Sequence, residues 1–159
     1  MSTSQRPEVI CRLIAEDDFD EVVACLRRGF PERPRRYWES TLEWMSRRPA
    51  IADHPRFGRA LLVGRNVVGV ILMTVSRDDD GADAAIRCNL SGWCVDEAYR
   101  RHAAMLYMQC IRNNELTYTG PVAGLAGRYL TDRAAKYCRG PAPPSPGDLS
   151  NRELAALGT

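Results

Sequence analysis

The segment VDEAYRRHAAML, from Val95 to Leu106, places Arg100, Arg101 and His102 side by side at the start of a helix-forming run. Each guanidinium carries a permanent charge and a fork of donors that suits carboxylate or phosphate oxygens. A helix that begins beside them adds unpaired backbone N–H groups and the positive end of its dipole. Together these make an anion site, best suited to a phosphate or a pyrophosphate. A solvated helix start uses the same residues, so the sequence leaves both readings open. The remaining arginine groups, at Arg27 and Arg28, Arg33, Arg35 and Arg36, and Arg47 and Arg48, read as solvated helix faces.

The wider composition narrows the function classes. A chain of 159 residues fits one domain and can bury a sizeable core. Its formal net charge of +2 is too small to demand a nucleic acid, and no recognisable motif of clustered exposed aromatics accompanies the arginines. No apolar run reaches the ~18–20 residues of a membrane span. The opening MSTSQRPE lacks the apolar stretch of a signal peptide, so a cytoplasmic protein is expected. Cys11, Cys25, Cys88, Cys94, Cys110 and Cys138 form no CxxC pair and share no metal-ligand spacing with His54 or His102. They read as small reduced core residues, and no metal is expected.

The elements that must position the anion site follow from apolar periodicity. Val9 to Ile14 reads as a first strand. Phe19, Val22, Val23, Leu26 and Phe30 recur at helical spacing, so Asp18 to Gly29 reads as an amphipathic helix stopped by Gly29. Arg35 to Arg47 resumes helical spacing through Tyr37, Thr41, Trp44 and Met45, and Tyr37, Trp38 and Trp44 read as core rather than as a substrate platform. Arg59 to Val63 and Val67 to Ser76 form a hairpin around Gly64, Arg65 and Asn66, the second strand nearly all apolar and hence central. Ile86 to Val95 is a further strand. Its internal Ser91 and Gly92 predict a bulge or a close backbone approach by a ligand. Ala103 to Asn113 reads as a helix with Met105, Leu106, Met108, Gln109 and Cys110 on its surface, and Leu116 to Thr119 as a short strand. The order β-α-α-β-β-β-α-β predicts a mixed α/β domain whose last β-α-β step is a crossover between parallel strands. Residues 140–147 carry four prolines and cannot form a packed strand.

This order of elements, with the strand–turn–helix at Val95, resembles the GNAT acyltransferases, which use acyl-coenzyme A. The family pattern is a strand end followed by a segment like V-x-P-x-x-R-G-x-G-x-G/A. Val95, Tyr99 and Arg100 match it, and Ser91 with Gly92 fits the bulge expected upstream. The family's glycines correspond to Arg101, Ala103 and Met105, and its proline to Glu97 or Asp96. The resemblance covers about Val9 to Thr119. Tyr129, within AGRYLTDRAAKY, lies near the position of a family tyrosine.

The resemblance implies a GNAT-like acyl-CoA N-acyltransferase fold with a divergent C-terminal end: one domain over residues 1–139, then a Pro-rich linker and tail over 140–159. It implies transfer of an acetyl group from acetyl-CoA to a primary amine by direct attack. Backbone groups of Trp93, Cys94 and Val95 would orient the acyl carbonyl and pantetheine amides. The N–H groups of Arg101, His102, Ala103, Ala104 and Met105 would hold the pyrophosphate, with Arg100 and Arg101 adding charged bonds. Tyr129 is the candidate acid for the departing thiolate. Glu39, Glu43 and Asp53 are candidates to line a pocket for a small-molecule or peptide amine. A homodimer is left open. The alternative is a degenerate, non-catalytic binding or regulatory module, favoured by Ala103 and Met105 in place of glycines.

Overall fold

A computed structural model describes residues 7–51, 53–77 and 85–120. Five strands form one sheet in the order β1-β2-β3-β4-β5: β1 (Val9–Leu13), β2 (Gly58–Val63), β3 (Asn66–Arg77), β4 (Ile86–Val95) and β5 (Thr117–Thr119). The first four pair antiparallel, and β4 pairs β5 in parallel. The expected central strand is β3. Successive residues Val70, Ile71, Leu72 and Met73 are all buried, alternately under two separate clusters. A strand covered on both faces has no polar side to show, which is why its sequence lacks alternation.

On one face lie α1 (Phe19–Gly29) and α2 (Arg35–Arg47), which bury Val22, Val23, Cys25 and Leu26, and Trp38, Leu42 and Met45. On the other lies α3 (Ala103–Cys110), whose Leu106, Tyr107 and Cys110 pack with Cys88 and Leu90. The β2–β3 hairpin closes through two residues rather than three, because Val63 pairs with Asn66 and Gly64 takes a φ of +61°. A left-handed φ beside a tight turn is the position where glycine costs least.

Three expectations need correction. The α2 stripe runs one residue out of the expected phase: Trp38, Leu42 and Met45 are buried, whereas Tyr37 and Trp44 are exposed. On α3, Leu106 and Cys110 point into the core, and only Met105 and Met108 among its apolar side chains are exposed. That helix also ends at Cys110, with Ile111 as its C-cap, and not at Asn113.

Candidate functional site

The end of β4 carries the predicted bulge. Val70 pairs with Cys94 but Leu72 pairs with Ser91, so Gly92 and Trp93 together face Ile71. One extra residue reverses the in–out phase of everything after it. Cys88 and Leu90 face the α3 side before the bulge, and Trp93 and Val95 face it afterwards, while Cys94 turns to the α1 side. Gly92 takes φ +56°, and a Cβ there would meet Leu72 Cδ1 at 3.1 Å. The backbone favours glycine, and any Cβ would press on the Leu72 side chain.

Pairing with β5 runs from Arg87 opposite Thr117 to Asn89 opposite Thr119. The residues past Gly120, which would follow in that register, lie outside the described residues. Trp93 stacks at 5.8 Å from the Tyr107 ring of α3, which anchors the bulge to that helix.

After Val95 the Asp96 N–H donates to the Val68 carbonyl at 2.8 Å, and the chain enters a 3-10 helix, Glu97–His102, that runs into α3. The 3-10 helix stands where the strand–turn–helix pattern predicts a turn. Arg100, Arg101 and His102 thus form the last turn of one helix at the start of another. The Ala103 N–H donates to the Arg100 carbonyl, and the amides of Arg101 and His102 belong to the 3-10 ladder, so three of the amides assigned to an anion are already used. Arg101 is exposed, Arg100 and His102 are half-buried, and Ala103 is buried. Arg101 Nε donates to His102 Nε2 at 3.1 Å. Burial, and after it the Arg101 charge, hold the His102 imidazole below its ordinary 6.5, so it is neutral at pH 7 and can accept that bond.

The thiols are shielded. The five described cysteines are free; Cys138 lies outside the described residues. Burial pushes Cys88 and Cys110 up to about 12. The contact with Cys25, and then burial, push Cys94 well above the usual thiol range. None of these three is a ready nucleophile. Among the described residues no three His, Cys, Asp or Glu side chains gather as metal ligands, and no helix is long and apolar enough to cross a membrane.

The candidate amine-site carboxylates are occupied or apart. Glu39 accepts from Arg35 at 2.6 Å, Glu43 pairs with Arg47, and Asp53 sits in a loop with φ +61°. What the sequence reading missed is an open groove of about 650 Å³ on α2, lined by Pro34, Arg36, Tyr37, Ser40, Thr41 and Trp44. The unexpected exposure of Tyr37 and Trp44 creates it. Tyr129 lies outside the described residues.

No protein-family model matches this sequence, and no curated protein is similar to it at the sequence level. Solved structures are similar in fold. An aminoglycoside N-acetyltransferase AAC(6')-Iy in complex with CoA is 15% identical, with 82% of this chain and 89% of that one covered, at a TM-score of 0.58. The GNAT family N-acetyltransferase YhbS from Escherichia coli, also with CoA, is 18% identical over 81% of this chain and 71% of its own, at 0.56. Glucosamine-6-phosphate N-acetyltransferase from Arabidopsis thaliana is 7% identical over 86% and 94%, at 0.53. Identities this low speak to architecture alone, and the architecture agrees with the element order: the chain has the fold of the GNAT N-acetyltransferases.

Proposed function

We propose that this protein is an N-acyltransferase that moves an acetyl group from acetyl-CoA to a primary amine by direct attack. The observation that carries the reading is the end of β4. A glycine-built bulge turns Trp93 and Val95 to the α3 side, and the 3-10 helix that leads from this strand end into α3 carries Arg100 and Arg101. Extended amide-bearing ligands bind strands by backbone hydrogen bonds. Bound coenzyme would supply the activated thioester.

The chain's own groups then have distinct tasks. Trp93, Cys94 and Val95 orient the pantetheine amides and acyl carbonyl through their backbone. Arg100 and Arg101 make charge-assisted bonds to the pyrophosphate. The amides of Ala104 and Met105, in the first turn of α3, add to them, whereas those of Arg101, His102 and Ala103 are used within the 3-10 helix. The amine must attack neutral, and the departing thiolate must receive a proton. We assign that proton to Tyr129, so Tyr129→Phe lowers kcat while acetyl-CoA affinity stays nearly unchanged. A small-molecule amine is favoured as acceptor, because AAC(6')-Iy, of similar fold, has been solved with a bisubstrate analogue joining CoA to acetylneamine. Free thiols suit a reducing, cytoplasmic setting. Residues 1–139 would form the working domain, and a chain ending at Cys138 keeps its acetyl-CoA affinity.

One observation favours a second reading. The spent Ala103 amide and Met105 in a glycine position weaken the pyrophosphate cradle, as in a binding module that no longer catalyses. A thermal-shift series with acetyl-CoA, CoA and RNA separates the classes. Both coenzymes should stabilise the fold, by about 2.7 kcal/mol at a hundred times Kd, and RNA should not. Stabilisation without thiol release in the presence of an amine panel supports the binding module. A shift with RNA alone overturns both.

A further inference from the structure

A joint between α1 and the end of β4 lies outside the roles assigned above. Arg28 donates from Nε to Asp96 Oδ1 at 3.1 Å and from Nη2 to Asp96 Oδ2 at 2.9 Å, and Nη2 also donates to the Val67 carbonyl at 2.9 Å. Two parallel bonds from one guanidinium fix the orientation of a carboxylate as well as its charge. Beside them the backbones nearly touch: a Cβ on Gly29 would lie 2.4 Å from Cys94 Cβ, and the Cys94 and Cys25 sulfurs are 3.8 Å apart.

Asp96 is the N-cap residue of the 3-10 helix that carries Arg100 and Arg101, yet its side chain makes no bond to that helix. Aspartate at such a position ordinarily caps the first free amides. Here both its oxygens are held by Arg28 instead. Asp96 precedes Arg100 by four residues, about 8 Å along a 3-10 axis. That is about one Debye length at physiological salt, so an unpaired carboxylate there would be felt by a polyanion held at Arg100 and Arg101.

We propose that Arg28 is a positioning residue for the anion site: it holds both oxygens of Asp96, neutralises that carboxylate and leaves Arg100 and Arg101 to the phosphates. The assignment rests on the coenzyme A reading above. A pair with Arg28 and Asp96 side chains 48% and 27% exposed adds little to stability, so its effect belongs in ligand affinity.

The test compares coenzyme A with pantetheine, which lacks the pyrophosphate and nucleotide, on the full chain and its variants. Arg28→Gln should weaken coenzyme A binding on the order of tenfold and leave the thermal shift given by pantetheine unchanged. Adding Asp96→Asn to it should restore coenzyme A affinity to within about threefold of wild type, because the uncompensated charge is gone. Asp96→Asn alone should bind coenzyme A at least as tightly as wild type, and it tests the idea even if Arg28→Gln does not fold. Three results overturn the assignment while coenzyme A still binds the wild type: an Arg28→Gln affinity equal to wild type, an equal loss for pantetheine, or a double variant as weak as the single. A tenfold loss in Asp96→Asn does the same. If the wild type binds no coenzyme A, the acyl-transfer reading falls first and takes this assignment with it.

Discussion

Ser91 to Val95 and Arg100 to Met105 are the two halves of the candidate coenzyme site, and they are built on different principles. In the first half the backbone is prepared and the side chains serve to hold it. Gly92 accepts a left-handed φ, Trp93 locks onto Tyr107, and Cys94 packs against α1. In the second half the backbone is partly closed on itself, with the Ala103 amide bonded to Arg100, and the attraction for anions rests on guanidiniums. On the proposed reading, the strand end offers shaped backbone and the phosphate end relies on side-chain charge. Substitution of Gly92 should therefore show in folding, and substitution of Arg100 and Arg101 in binding.

The largest expected effect is at the bulge. Gly92→Val puts a β-branched residue at φ +56° with its Cβ about to meet Leu72. Strain and overpacking together should cost about 2–5 kcal/mol in denaturant unfolding. A loss under about 0.5 kcal/mol would mean that the bulge is not held as described.

A smaller effect is expected on the other side of the comparison. Ala103→Gly matches the GNAT pattern's glycine but places it at the first position of α3. It should cost up to about 1 kcal/mol of stability. Acetyl-CoA affinity should stay within about twofold of wild type, because the Ala103 amide is already bonded. A clear gain in affinity would show that this amide opens to the ligand and that the two halves are more alike than they look.

The smallest effect is a pH dependence at His102. Its folded pKa lies below 6.5, so the unfolded chain binds more protons in the interval between that lower value and 6.5. Stability is full above this interval and falls as pH drops through it. His102→Gln should flatten that part of the stability profile. An unchanged slope would place the titrating group elsewhere.

Much of this was legible from residue order, for identifiable reasons. The bounds of α2 and β4 follow from Pro34, Pro49 and the apolar runs between their flanking breaks. The bulge follows from a glycine inside a strand. The phase of α2 was not legible in the same way. Tyr37, Thr41 and Trp44 keep helical spacing as well as Trp38, Leu42 and Met45 do, and only packing on α1 and the sheet decides between them. The 3-10 helix was hidden because Asp96 and Glu97 carry the polarity of a turn. The Arg28–Asp96 pair joins residues 68 apart, so nothing local announces it. Tyr129 lies outside the described residues and stays an assignment from resemblance alone.

The central claim is that the arginine turn holds the pyrophosphate of acetyl-CoA. Calorimetric titration of acetyl-CoA into the wild type and into Arg100→Ala/Arg101→Ala tests it most directly. Measurable binding to the wild type is expected, weakened by about 1–3 kcal/mol in the double variant, with thermal stability of the unliganded protein little changed. Equal affinities for the two proteins, or no binding to the wild type, would contradict it.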